Sequence, residues 1–288
     1  MLDAPNTHGS GSIDQPTAED RPLARLAGGV SADVFLLPPD RVLKLLLPGI
    51  GAEIAAREFA AARVAHAAGL PVPEPIGLAN RGERHGIVFA RLHEARLARR
   101  LRRMPGPVMA TLFAMARFQA RLHRIVPATD VLPAAHRLIE ARCAESLAPA
   151  RTRAAALDQL ARLPEGRQLL HGDLHLGNVI TARRRLMVVD WAQAMTGDPA
   201  ADVARTELLM RFGRYGPSLR RHDWMRTGRH AAADWYLLCY RWITGMPVAT
   251  IDAWRLPTAV AWMRADSAAH APSLAAYVER RRAAGQVR

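Results

Sequence analysis

Apolar and polar positions change their rhythm along this chain, and the change divides it. Between residues 22 and 92 the apolar runs are short and bounded by turn residues. "LARLAG", "ADVFLL" and "RVLKLLL" read as strands, the last two joined at "PPD" as a hairpin. The next segment, "GAEIAAREFAAARVAHAAG" (51–69), is alanine-rich with apolar residues at helical spacing, and Gly69 stands where a helix ends. "LPVPEPIGLAN" and "IVFARL", on either side of the turn "RGERHG", complete a β-β-β-α-β-β order. That order predicts a small antiparallel sheet with one helix. Beyond Leu92 the pattern lengthens into helices at 107–125, about 133–149, 152–162, 200–212 and 229–245. Among them sits an island of short strands and loops, "QLLHGDLHLGNVITARRRLMVVDWAQA".

Composition narrows the class without naming a chemistry. With 288 residues, half of them apolar, the chain can bury a full core as one large domain or two lobes. Residues 1–20, rich in Gly, Ser, Pro and Asp, read as a disordered tail. Cys143 and Cys239 lie far apart with no ligand cluster beside them, so neither a disulfide framework nor a zinc knuckle is indicated. No leader pattern and no run of about 18 apolar residues occurs, which predicts a cytoplasmic protein with no stable membrane insertion. The formal charge of +14 raises nucleic acid as a partner, but the arginines lack interleaved aromatics and no binding motif accompanies them. Nucleic acid is therefore set aside. Oligomeric state leaves no trace in the sequence.

The island carries the chemistry. In "HGDLHLGNVI", Asp173 and Asn178 are five residues apart, and Asp190 follows at the end of the apolar run "RLMVVD". Phosphoryl transfer uses this spacing: one Asp receives the acceptor's hydroxyl proton, an Asn five residues on holds metal, and a second Asp after a strand holds Mg²⁺. The charge that develops on a transferring phosphoryl group calls for Mg²⁺ held by oxygen ligands. His171 and His175 could suggest zinc, but they sit on a glycine-containing loop without a third ligand.

"HGDLHLGNV" followed by "VVDWAQAMTGDPAADVART" resembles the aminoglycoside phosphotransferase and choline-kinase-like family, and "GLPVPEPIG" and "QARLH" fit the same pattern. The resemblance implies an α+β, two-lobed protein-kinase-like fold. A small antiparallel lobe with one helix (21–90) would bind nucleotide, and a larger, mainly helical lobe (91–288) would bind substrate and carry the catalytic residues. It further implies ATP and Mg²⁺ as cofactors and a small-molecule hydroxyl acceptor: an aminoglycoside-like antibiotic, a sugar, an amino alcohol or a related metabolite. By the same resemblance Asp173 is the catalytic residue, and Asn178 and Asp190 are metal ligands. His175 lies near the γ-phosphate, while His171 and Asp202 brace the loop.

One lysine stands among 39 arginines, Lys44 in "RVLKLLL". In such kinases a lysine on the third strand pairs with the α- and β-phosphates and with a helix glutamate. A compact ammonium fits between those oxygens where a planar guanidinium does not. Glu58 is the expected partner and Glu53 the reserve. Gly28, Gly29 and Ser31, in the turn after the first strand, are either phosphate-contacting or an ordinary hairpin. The six arginines of "RLHEARLARRLRRM" (91–104) form either a solvated face or the mouth of the substrate cleft. Residues 191–288 hold fourteen arginines against eight acidic residues, which argues against a polycationic acceptor unless a few carboxylates, among Asp223, Asp234, Asp252, Asp266 and Glu279, converge. The reading from a different class is a catalytically decayed nucleotide-binding scaffold or regulator; an Asp173→Asn variant with full biological activity would favour it.

Overall fold

The computed structural model of the protein describes residues 23–29, 31–93, 105–128, 130–182, 185–213, 224–264 and 271–285. The expected tail and most of the 91–104 arginine run fall outside these residues. The first part is a five-stranded antiparallel sheet in the order β1-β2-β3-β5-β4, built from β1 (Arg25–Gly28), β2 (Ala32–Leu37), β3 (Arg41–Leu46), β4 (Pro75–Arg81) and β5 (Arg84–Ala90). In β3 successive side chains alternate faces, so Leu43 and Leu45 share one face while Val42, Lys44 and Leu46 share the other. Lys44 pairs with Val34 of β2 and Ile87 of β5, which places it mid-sheet rather than at an edge.

Between β3 and β4 runs α1 (Ala52–Ala67), packed against β4 and β5. Its buried stripe is Ala55, Glu58, Ala61, Ala62 and Ala65, so a single carboxylate is carried inward among methyl groups small enough to let the helix lie close. The turn between β4 and β5 is shorter than the sequence reading had it, because Arg84 already belongs to β5. Its guanidinium bonds the Leu46 carbonyl at 2.7 Å and Asp33 at 2.8 Å, and the ladder runs to the Arg81–Arg84 pair, leaving Gly82 and Glu83 as the turn.

The larger part is helical: α2 (Pro105–Leu122), α3 (Ala135–Ala144), α4 (Ala150–Leu160), α5 (Pro199–Phe212), α6 (Trp224–Thr244), α7 (Val248–Trp262) and α8 (Ala271–Gly285). The expected helix at 133–149 ends early. Ser146 turns its hydroxyl to the Val260 carbonyl at 2.7 Å, and Pro149 then starts α4. Asp198 caps α5 by accepting from the Ala200 N–H at 2.7 Å, with Pro199 at the first helical position. The island forms two short ribbons: β6 (Gln168–Leu170) with β9 (Met195–Gly197), and β7 (Val179–Ala182) with β8 (Arg185–Val188). Helix α7 is the hub, packed by α3, α4, α5 and α8. No helix among the described residues is long and apolar enough to cross a membrane.

Candidate active site

Lys44 reaches out of the sheet to two carboxylates that the chain supplies from far apart. Its Nζ lies 2.7 and 2.8 Å from the two Glu58 oxygens and 2.7 Å from Asp190 Oδ1. Burial works against the ammonium, but the Glu58 and Asp190 charges outweigh it and raise the Lys44 pKa, so the side chain stays a cation. Burial pushes the Glu58 carboxyl up, while Lys44 and the Trp191 N–H, which donates to Oε1 at 3.2 Å, act the other way. Glu53 is exposed in the first turn of α1 and takes no part. Asp190 has φ +68°, in the left-handed region that Asp tolerates better than most residues, just before Trp191 bonds Glu58.

The 171–178 loop supplies the facing groups. Asn178, at the end of a 3₁₀ turn (Leu176–Asn178), donates through Nδ2 to the Asp173 carbonyl at 2.9 Å and to Asp173 Oδ2 at 3.2 Å. Its carbonyl accepts from the Val189 N–H at 3.0 Å, which sets Asn178 beside the residue preceding Asp190. His175 accepts from the Gly177 N–H at 2.9 Å through Nδ1, assigning the ring proton to Nε2, 3.5 Å from Asp173 Oδ2. Burial pushes the Asp173 carboxyl up, yet His175 and Arg205 together bring it below its ordinary value. Gly172 has φ +74°, and a Cβ there would lie 2.2 Å from the Gln193 carbonyl, so the loop's approach to the 190–194 segment requires glycine.

Asp202, fully buried at the start of α5, holds this loop from below. Oδ1 accepts from the Gly172 N–H at 2.7 Å, and Oδ2 accepts from the His171 N–H at 3.1 Å and Gln119 Nε2 at 2.8 Å, with His123 Nε2 at 3.1 Å. Gln119 comes from α2 and His123 follows just past its last residue, four positions on in "QARLH", and His123 Nδ1 meets Tyr240 OH at 2.7 Å. The sequence alone assigns neither a role; their four-residue spacing is the available signal. Burial alone would raise the Asp202 pKa, but the His123 and Gln119 contacts overcome it and hold the carboxyl down to about 2. Because the folded value is depressed below 3.8, this group contributes stability above about pH 4 that is lost as pH falls toward 2. Asp202→Asn is expected to cost about 2 to 4 kcal/mol at pH 7, with the deficit narrowing below pH 4; denaturant unfolding across that range measures it.

His171 is buried and accepts from the Asp173 N–H at 3.3 Å through Nδ1, with its ring 4.6 Å from that of Trp191; burial lowers its pKa and keeps it neutral. Gly28 closes β1, and Gly29 and Ser31 lie in the connection to β2, whose first residue, Ala32, is two positions from the Val34 that stands opposite Lys44. The Gly29 N–H is spent on the Ala32 carbonyl at 2.8 Å, so that amide serves the turn. Nor do the acidic residues converge among the described residues. Asp234 is paired with Arg211, Asp252 with Arg255 and Arg281, and Glu279 with Arg282 and Thr152, whereas Asp223 and Asp266 lie outside the described residues.

Could these groups hold a divalent cation? Among the described residues no cluster of three or more His, Cys, Asp or Glu could do so unaided. Asp190 and the Asn178 amide oxygen, the atom left once Nδ2 is spent on Asp173, are two hard oxygen donors of the kind Mg²⁺ takes when phosphate oxygens and water fill the rest of its shell. The residues fit such an ion. Beside Asp173 lies a cavity of about 320 Å³, walled by α3, the loop, the 193–195 segment, α5 and α7.

The sequence pattern of a family described as "Phosphotransferase enzyme family" matches residues 22–236. No curated protein matches the chain. In structure it is similar to an amicoumacin kinase in complex with AMP-PNP, Ca²⁺ and its ligand, at 12% identity over 89% of this chain and 86% of that one, with a TM-score of 0.60. It is also similar to an aminoglycoside 2'-phosphotransferase in its GDP complex (14% identity, 92% and 93% covered, 0.57) and to an aminoglycoside-3'-phosphotransferase of type VIII (18%, 80% and 89%, 0.55). At these identities the likeness shows the fold, a two-lobed kinase-like α+β architecture.

Proposed function

Because the chain belongs to the phosphotransferase enzyme family, we propose that this small-molecule phosphotransferase moves the γ-phosphoryl group of ATP, bound with Mg²⁺, to a hydroxyl of its acceptor. The observation that carries the reading is the Lys44 ammonium bonded at 2.7 Å to both Glu58 and Asp190, with Asn178 joined through Val189 to the same segment. Lys44, oriented by Glu58, binds the α- and β-phosphates. Asn178 and Asp190 would hold Mg²⁺, which when bound neutralises charge on the phosphate oxygens. His175 stands at the loop's entrance toward the γ-phosphate.

Asp173 orients the acceptor hydroxyl. Its depressed pKa keeps it a carboxylate, so it accepts the hydroxyl proton as the new O–P bond forms and the bond from the γ-phosphorus to the bridging oxygen breaks, releasing ADP. Asp202 and His171 keep the loop in place while this happens. The family resemblance and the nucleotide-bound kinases of like fold support this assignment. The test is ADP release from ATP and Mg²⁺ with and without hydroxylated acceptors. Turnover that stops with a chelator and returns with Mg²⁺ is expected, while ATP binding without turnover on any acceptor would count for the scaffold reading.

A further inference from the structure

Helix α6 carries apolar residues on both of its faces. Ala233, Tyr236, Leu237 and Tyr240 are buried against the rest of the fold, as a surface helix requires. The opposite side, where polar residues belong, instead presents Ala231, Trp235, Leu238 and Trp242. Trp242 is 77% exposed and Leu238 55%. Two residues of α2 widen this stripe: the Phe113 ring lies 6.3 Å from that of Trp242, and Trp235 Nε1 donates to the Met109 carbonyl at 3.1 Å. These contacts bridge the two helices, so the apolar face is continuous across both. Contiguous exposed aromatics of this kind mark a contact surface.

We propose that two copies of the chain pair through this face, α6 against α6 in antiparallel sense with α2 alongside. The stripe is spaced four, three and four residues, the repeat of a coiled-coil seam. Reversing one copy against the other sets Trp235 across from the second copy's Leu238, and Ala231 across from its Trp242, so a small side chain meets the largest. The flank of the stripe is self-complementary in charge. Asp234 and Arg241 stand seven residues apart on one side of α6, and the antiparallel register brings Asp234 of each copy beside Arg241 of the other. Asp234 is 65% exposed and bonds Arg211 through Oδ1, while Arg241 bonds the Met246 carbonyl through Nε at 3.3 Å. A parallel pairing would set like charges at the same level, and an anionic membrane would meet Asp234 at the edge of the face. At 1.5 Å per residue the stripe is about 17 Å long, and two helices about 10 Å apart make the face about 20 Å wide. That is the apolar core of a standard interface, with the flanking charges as its rim. Such a contact uses the same patch on both copies and therefore closes as a dimer.

The test is sedimentation velocity of the full chain from about 1 to 100 µM, where a two-chain species with a Kd below about 20 µM is expected. Trp242→Glu is expected to weaken association at least about 30-fold with far-UV circular dichroism unchanged, since so exposed a side chain holds little of the fold. Because a two-fold counts every contact twice, Asp234→Arg and Arg241→Asp are each expected to weaken pairing about tenfold, and the double exchange to recover most of that loss. A chain that stays monomeric, pairing that survives Trp242→Glu, or single reversals that the double exchange does not rescue would each overturn the proposal. So would a monomer that co-sediments with phosphatidylserine vesicles through Trp242, which would give the face to a lipid surface. Association is read without nucleotide or acceptor, so its outcome is independent of the kinase reading.

Discussion

Asp173→Asn is expected to lower kcat by about 10³-fold while changing the KM for ATP less than about threefold. The substitution keeps the shape of the side chain and, with it, the Asn178 bond to the residue 173 carbonyl at 2.9 Å, but removes the oxygen charge proposed to orient the hydroxyl and take its proton. A positioned general base contributes on the order of 10² to 10⁴ in rate, and a carboxylate held ionised by its neighbours is suited to that work. The melting temperature should barely move, because the carboxylate's nearest ionic neighbours are 3.5 and 3.9 Å away. If the variant kept more than a third of the parent's kcat, Asp173 would not be the base.

The second large effect falls on Lys44. Lys44→Met leaves Glu58, 1% exposed, without the ammonium that compensates its charge, and breaking one partner out of a buried pair costs about 3 to 5 kcal/mol. For a chain of this size that corresponds to a melting point lower by roughly 6 to 20 °C. Adding Glu58→Gln removes the uncompensated carboxylate and is expected to restore at least half of the loss, a coupling that scanning calorimetry of the single and double variants measures. Lys44→Arg separates shape from charge. It should retain more stability than the methionine variant and still lose about 100-fold or more in kcat, because a wide planar cation cannot bond Glu58 and Asp190 as the ammonium does and also reach the phosphates it is proposed to bind. An arginine variant with normal turnover would show that charge alone suffices at residue 44.

Much of this site could be read in one dimension. The β3 strand advertised itself by its apolar run, and Lys44 stood out because a chain that writes arginine nearly everywhere kept a lysine there. Glu58 sits mid-helix and Glu53 in the first turn, and the structure buries the one and exposes the other, since residues i, i+3 and i+7 of α1 face the sheet. The Asp173, Asn178 and Asp190 spacing is local, set by a loop, a turn and one ribbon, so it survives in the letters.

Local letters, then, determined the strands, the inward-facing helix glutamate and the loop that carries Asp173, because each depends on neighbours a few residues away. The walls of the cavity depended instead on packing between distant elements. Arg142, Arg205 and Arg264 come from three different parts of the chain and share one volume only because α3 and α5 both pack on α7. That helix was invisible as a pattern: from Trp254 to Trp262 every residue is buried, so no polar face marks a period, and Pro257 interrupts it. Burial on all sides erases the amphipathic signal, and with it any one-dimensional sign of which charges will meet.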